Sequence, residues 1–422
     1  MKGMLHEKYM TTIISNNNKN RLRPEYQMPK SKINIHTLLH TLYIGSDNST
    51  TVSGSFSKKR MNYPFVIILI LVSRSNHASS ACFKSIIGFG ASLADTGNSI
   101  QFAPSQAAAA PPYGETFFHR PTGRWSDGRL VIDFTAEALG LPFVQPFWGP
   151  SSRGFDGGVN FAVSGCTALP DSFFAKEGLQ IELANTYLAA QLSWFKELFL
   201  PKFCHTPSDC KNFLETSLVL VGDIGGNDYN YAFLQGKNVE SVQSIVPKVV
   251  KAISLTINEL IKLGATTLMV PGNVPIGCLV VYLTYFKSSN QTYYDPKTGC
   301  LNWLNRFSRL HNKVLQTELE RIRQQNPNIN IVYADYYNAA MQFYHSPQKY
   351  GFPEGGLVAC CGTEDHLCGT EGSKTCEDPS LYVSWDRLHF TEAAYRLIAN
   401  GLLRGTFTIP PLNTFCAPTS DI

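Results

Sequence analysis

The chain of 422 residues has little that would tie it to a membrane or to nucleic acid. Phe65 to Val72 gathers eight apolar residues, too few to cross a bilayer, which takes about 20. Charged residues make up only 16% of the sequence, and the formal charge of +4 is concentrated at one end. Residues 1–80 hold 11 Lys/Arg against 3 Asp/Glu, so 25 basic and 29 acidic residues remain in 81–422. A net-negative body lacks the basic footprint of a nucleic-acid binder. No CxxC pair is matched by a second, which argues against zinc, and neither a metal nor a cofactor is expected. Internal repeats are absent, and the one low-complexity stretch is Ala107–Ala110 with its neighbouring prolines.

The amino-terminal part reads as a leader. Lys58, Lys59 and Arg60 precede the apolar run, and Ala78-Ser79-Ser80-Ala81 supplies small residues after it. A basic flank, a short apolar core and small residues are the parts of a secretory signal peptide. Met61 stands at its start, so residues 1–60 read as a gene-model extension or disordered leader, 61–80 as the signal peptide and 81–422 as one catalytic domain. All eleven cysteines lie in 81–422. Spacings such as Cys204/Cys210 and Cys368/Cys376 suit disulfide-closed loops of an oxidising compartment. Asn290-Gln291-Thr292 is a glycosylation sequon, usable in a secreted chain. The expected location is extracellular, in the apoplast, or in the vacuole.

Short apolar runs end in Gly or Asp at 84–90, 217–223 and 266–272, and a fourth occupies 328–336. Each is expected to be a buried strand. Between them Val246, Val249, Val250, Ile253, Ile257, Leu260 and Ile261 recur at helical spacing before Gly264. Leu304, Phe307, Leu310, Val314, Leu315, Leu319 and Ile322 do the same before Asn326-Pro327. Thr391 is placed to cap a last helix through about Leu403. Strands alternating with helices predict an α/β fold whose parallel sheet is covered on both faces. Ligands of such sheets bind beyond the carboxyl ends of the strands.

That edge is where the chemically equipped loops fall. Gly88-Phe89-Gly90-Ala91-Ser92 puts a serine just past a strand, able to aim its hydroxyl and its own N–H at one spot. A Ser in a polar turn is more often a helix cap; as a nucleophile it needs a base. Asp386-Arg387-Leu388-His389 offers one, because a spacing of three lets the carboxylate hold Nδ1–H while Nε2 takes a proton. Donors for an oxyanion are available in Gly158–Gly165 and in Gly225-Gly226-Asn227-Asp228, although either segment could be a plain turn.

FGASLADTGN, GVNFAVSG, GGNDY and DRLH, in this order, resemble the sequence blocks of the GDSL, or SGNH-hydrolase, family. PYGETFFHRPTGRWSDGRLVIDF (112–134), YGFPEGGLVACCG (350–362) and VSWDRLHFTEAAY (383–395) resemble its plant branch, and the likeness runs over about 83–416. The resemblance implies a flavodoxin-like three-layer α/β/α sandwich. It implies Ser92 as nucleophile, Asp386 and His389 as its partners, and an oxyanion hole of Ser92 N–H, Gly165 and Asn227. A carboxylic-ester hydrolase acting through an acyl-serine is therefore expected, with small acyl esters or lipids as substrates. The subgroup containing sinapine esterase and acetylajmalan esterase is the most similar, which points to esters of small specialised metabolites. The alternatives are acyl transfer by the same triad and a non-catalytic family member. No nucleic-acid partner and no stable membrane span are expected, and the oligomeric state is left open.

Two departures from the family pattern carry expectations. Ala91 stands where the family has Asp, so the nucleophile turn is expected to lack a bracing carboxylate. A lost hydrogen bond to a charged group would slow turnover about 10- to 100-fold, recoverable in Ala91→Asp. Cys166 follows Gly165 where the family usually has Ala. Setting it aside leaves an even number of cysteines, so Cys166 is the candidate free thiol, without a catalytic part.

Overall fold

A computed structural model describes residues 82–149 and 154–416 of the chain. The expected leader and signal peptide, 1–60 and 61–80, lie outside the described residues.

One seven-stranded sheet organises the domain: β1 (Ser85–Gly90), β2 (Gln145–Pro146), β3 (Gly158–Asn160), β4 (Ser217–Gly222), β5 (Thr267–Pro271), β6 (Asn330–Ala334) and β7 (Thr408–Ile409). Their order is β2-β3-β1-β4-β5-β6-β7. Every pairing is parallel except β6 with β7, which is antiparallel. SIIGFG and SLVLVG, the sequences of β1 and β4, are buried at every position, as strands covered on both faces must be. The four expected strands are these two with β5 and β6. The other three have two or three residues each, too short to show a periodicity. Two of them, β2 and β7, form the sheet edges, where shortness limits pairing with other chains.

Helices cover the sheet in two sets. Helices α1 (Val131–Ala138), α6 (Tyr336–His345) and α7 (Glu392–Leu403) pack on one another, as do α2 (Leu188–Ser193), α4 (Val246–Leu263) and α5 (Asn302–Gln325). A further helix, α3 (Gly226–Leu234), starts at the end of the β4 loop. The architecture is the expected three-layer α/β/α sandwich. Helix α4 ends at Gly264, whose φ of 115° is the left-handed cap conformation, open to glycine at little cost. Thr391 caps α7 by accepting from the Ala394 N–H at 3.3 Å. The stripe read along α5 needs one correction. Leu310 is exposed, whereas His311 and Asn312 are buried beside Leu304, Phe307, Leu315, Leu319 and Ile322. A period of 3.6 residues turns Leu310 off the inward line that Phe307, His311 and Leu315 follow.

Five disulfides close loops: Cys82–Cys416, Cys204–Cys210, Cys278–Cys300, Cys360–Cys376 and Cys361–Cys368. Cys204 pairs with Cys210 as expected and Cys166 is the free, buried thiol. The expected Cys368/Cys376 pairing is wrong. The neighbours Cys360 and Cys361 lie in extended backbone bridged to Ser384 and Thr375, and successive side chains there point to opposite sides. Each takes its own partner. Together with Tyr113 and Trp385 these cysteines make a second, small core behind residues 384–389.

Cys82–Cys416 joins the two ends of the described domain over a separation of 334 residues. Cys82→Ser with Cys416→Ser should lower stability by about 2–4 kcal/mol in thermal unfolding of the oxidised protein, because the freed loop is the largest. Opening Cys204–Cys210, six residues apart, should cost clearly less. Equal losses would show that loop closure is not what this bridge supplies.

Candidate active site

The site begins where β1 and β4 end side by side. Gly90 pairs with Gly222, and a Cβ on Gly90, at a φ of 147°, would run into the Gly222 carbonyl. Glycine at 90 lets the two strand ends touch. The residue just past β4 is Asp223, held at a φ of 48°, a conformation Asp tolerates better than most residues. Its Oδ1 accepts from the Ala91 N–H at 2.7 Å and its Oδ2 from the Leu93 N–H at 2.8 Å. One carboxylate thus holds both residues flanking Ser92. The expectation that the turn lacks a carboxylate brace is overturned: Asp223 supplies it from another strand. The Ser92 hydroxyl and N–H are left with no hydrogen-bond partner among the described residues.

The rest of FGASLADTGN ties this turn to GVNFAVSG. Asp95 is fully buried and accepts from the N–H groups of Gly97, Asn98, Ser99 and Ser164 at 2.7–3.0 Å. Asn98 donates from its amide to the carbonyls of Asn160 and Ala162, both at 2.8 Å. Asn160 donates back to the Ala94 carbonyl at 2.6 Å. These residues build the loop that carries Gly165. Its φ is 77°, and a Cβ there would lie 2.9 Å from Glu182 Oε2 and 3.1 Å from the Tyr231 hydroxyl, so both conformation and space call for glycine.

GGNDY approaches the same loop from the start of α3. Asp228 accepts from the Ala168 and Leu169 N–H groups at 2.8 and 3.0 Å. Asn227 donates one amide hydrogen to the Cys166 carbonyl at 2.9 Å. An amide has two such hydrogens, so the orientation is fixed by one while the second stays available.

Asp386 and His389 come together as expected. Asp386 meets His389 Nδ1 at 2.9 and 2.7 Å through its two oxygens and accepts from the backbone N–H groups of Leu388 and His389. A carboxylate only accepts, so Nδ1 carries a hydrogen, and in the neutral ring Nε2 holds the lone pair. That Nε2 is buried and has no hydrogen-bond partner among the described residues. Arg387, at a φ of 80°, makes the tight turn between the pair.

Electrostatics separates this pair from the bracing carboxylates. Burial alone would raise the Asp386 pKa, but the charge and hydrogen bonds of His389, with a hydrogen bond from Tyr113, hold it down to about 2. Burial pushes Asp223 up to about 7, opposed by the Ala91 and Leu93 N–H groups and by nearby His389. It pushes Asp228 to about 7 against the N–H groups of Ala168 and Leu169.

Several contributors went unread in the sequence. The Tyr113 hydroxyl donates to Asp386 Oδ2 at 2.8 Å, and the Trp125 ring lies 4.9 Å from the His389 ring. Both fall in the 112–134 block, whose likeness to the family was visible but whose roles were not. The Glu182 carboxylate beside Gly165 is raised by burial, with His389 opposing. It belongs to none of the quoted blocks. Asn290 sits exposed at a short 3-10 turn. A cavity of about 580 Å³ between α5 and α6, lined in part by Asp295, Arg309, Tyr337 and His345, includes none of the site residues.

The chain matches the GDSL-like Lipase/Acylhydrolase family over residues 86–402. It is 52% identical over 344 residues to a GDSL esterase/lipase of Arabidopsis thaliana, covering 79% of this chain and 88% of that protein. A second Arabidopsis thaliana GDSL esterase/lipase is 48% identical over 368 residues, 85% of this chain and 94% of the relative. A sinapine esterase of Brassica napus is 44% identical over 383 residues, 88% and 98% of the two chains.

Among the described residues, Tyr113 bonds the buried carboxylate from outside the Asp386–His389 turn. Tyr113→Phe should lower kcat for a short acyl ester about tenfold with little change in KM, the equivalent of one hydrogen bond to a charged group. Steady-state kinetics check this, and an unchanged kcat would mean that Asp386 is held well enough without it.

Proposed function

This chain belongs to the GDSL-like lipase/acylhydrolase family and is an ester-bond hydrolase, and from that premise we propose that it cleaves small acyl esters through an acyl-serine formed on Ser92. The observation that carries the proposal is the state of His389. Its Nδ1 is pinned by Asp386, while its Nε2 is buried and has no hydrogen-bond partner among the described residues. A buried ring nitrogen without a partner costs about 1–3 kcal/mol, and a role as the base for Ser92 gives that cost a use.

In the proposed reaction Ser92 Oγ attacks the acyl carbon and its proton passes to His389 Nε2. Asp386 stabilises the imidazolium that results. The carbonyl oxygen becomes an oxyanion held by the Ser92 N–H, the Gly165 N–H and the second amide hydrogen of Asn227. Collapse breaks the bond to the leaving alcohol oxygen, which takes the proton from Nε2. A water then repeats the sequence on the acyl-serine, giving its proton to Nε2 and releasing the acid. The likeness to a sinapine esterase favours esters of small specialised metabolites over long-chain lipids.

Ser92→Ala should abolish labelling by a fluorophosphonate and hydrolysis of p-nitrophenyl acetate. His389→Ala should lose nearly as much, because nucleophile and base act as a unit. Labelling that survives in Ser92→Ala would place the nucleophile elsewhere.

The proposed setting is extracellular or vacuolar, after removal of a signal peptide spanning 61–80 and with a glycan on Asn290. Five disulfides support an oxidising compartment. No helix among the described residues is long and apolar enough to cross a membrane. Sequencing the protein recovered from medium should give a start at or near Ala81, and endoglycosidase should shift its mass. A start at Met1, with the protein retained in the cytosol, would refute this setting.

A further inference from the structure

A serine nucleophile works only if its hydroxyl and its own N–H are held at one place while both stay free. In this chain neither makes a hydrogen bond among the described residues, so something other than Ser92 itself has to hold the turn. The Ala91 carbonyl closes it from one side by accepting from the N–H groups of Ala94 and Asp95 at 3.1 and 2.9 Å. The N–H groups on either side of Ser92 both go to Asp223, one to each oxygen, at 2.7 and 2.8 Å. Those lengths belong to charge-assisted bonds, and two N–H donors on two oxygens favour the carboxylate over the acid, whose added O–H would need an acceptor of its own. Asp223 is fixed in turn by the register of β1 and β4, which sets Gly90 against Gly222.

We propose that Asp223 is the positioning residue of the nucleophile turn, doing from the neighbouring strand what a carboxylate at position 91 would do locally. An Asp accepts readily from the N–H two residues on. At 91 that N–H would be Leu93, which Asp223 already occupies. A carboxylate at 91 would therefore compete with Asp223 for one donor and set a second negative charge in the same buried place. The two carboxylates are alternatives, and Ala91 belongs with Asp223. The inference rests on Ser92 being the nucleophile.

The test is a cycle of Ala91→Asp and Asp223→Asn, read as kcat and KM on p-nitrophenyl acetate with fluorophosphonate labelling and a melting curve for each protein. Asp223→Asn keeps the size but offers one acceptor and turns an NH₂ toward the other N–H. It should lower kcat about 10- to 100-fold while KM stays within about threefold, since a misplaced hydroxyl and N–H matter most in the transition state. Ala91→Asp alone should give no gain. In the Asp223→Asn background the same change should recover kcat at least about fivefold, which a merely structural role for Asp223 would not produce. A wild-type kcat in Asp223→Asn, or a gain from Ala91→Asp of equal size in both backgrounds, would overturn the proposal. If Asp223→Asn does not fold, Ala91→Asp decides alone: a gain of about tenfold refutes the brace and none supports it. Mass spectrometry of the labelled wild-type protein separates the premise from the inference. A label away from Ser92 removes both, whereas a label on Ser92 leaves the cycle to judge Asp223.

Discussion

Gly90 and Gly222 are neighbours in adjacent parallel strands, and the site depends on how closely those two strand ends approach. A side chain at 90 would strike the Gly222 carbonyl, so the register of β1 with β4 survives to their last residues only with glycine there. Through that register Ala91, Ser92 and Leu93 lie within reach of Asp223. The β3 loop then joins from the other side of β1, since the Gly90 carbonyl accepts from the Val163 N–H at 3.0 Å. Sheet pairing, not any property of the turn's own sequence, decides where the serine is presented.

Around that turn the molecule uses buried carboxylates in two ways, and their ionisation tells them apart. Asp223 and Asp228 collect backbone N–H groups from loops far away in sequence, Asp95 collects them from its own turn and from Ser164, and burial raises all three. Backbone dipoles orient these groups, and of the three only Asp223 also feels His389. Asp386 is just as enclosed, yet it is driven down to about 2 because an imidazole faces it. Three carboxylates shape the loops, and the fourth is matched to a group that changes charge during the proposed reaction. This division explains why DTGN and GGND each keep an Asp that does not touch the reacting atoms.

The layers of the fold were legible because long elements have a period. Runs such as SLVLVG and the helix 246–263 announce their burial through spacing, and Gly264 and Thr391 mark ends by chemistry that operates locally. What escaped was set by distant contacts. Strands of two or three residues have no period, so β2 and β7 could not be seen, and GVN of β3 read only as a loop. Cys360 and Cys361 look equivalent until the extended backbone sends their side chains apart. Within the candidate site, Ser92, Gly165, Asn227, Asp386 and His389 could be named because each stands inside a short motif that the family resemblance covers. Tyr113 and Asp223 could not, since each acts across more than a hundred residues on a group that the sequence places elsewhere. The error over Ala91 has the same origin: a missing local carboxylate says nothing about one arriving from β4.

The remaining oddity, a free cysteine beside Gly165, fits the same picture. Cys166 is 1% exposed, its thiol donates to the Gly90 carbonyl at 2.9 Å, and the Gln191 amide donates to its sulfur at 3.0 Å. Burial raises its pKa well above the ordinary thiol value, and the nearby charges of Asp223 and Asp228 raise it further. A thiol kept protonated is neither a nucleophile nor a ready partner for disulfide exchange. This explains how one unpaired cysteine coexists with five disulfides. The same sulfur and Gln191 hold the last residue of β1 from beneath, since Gln191 also accepts from the Gly90 N–H at 3.0 Å and donates to its carbonyl at 2.9 Å. Asp223 fixes the two residues around the serine and Cys166 with Gln191 fixes the residue before them. The turn is therefore clamped through the backbone of Gly90, Ala91 and Leu93, and Ser92 between them is left unbound among the described residues.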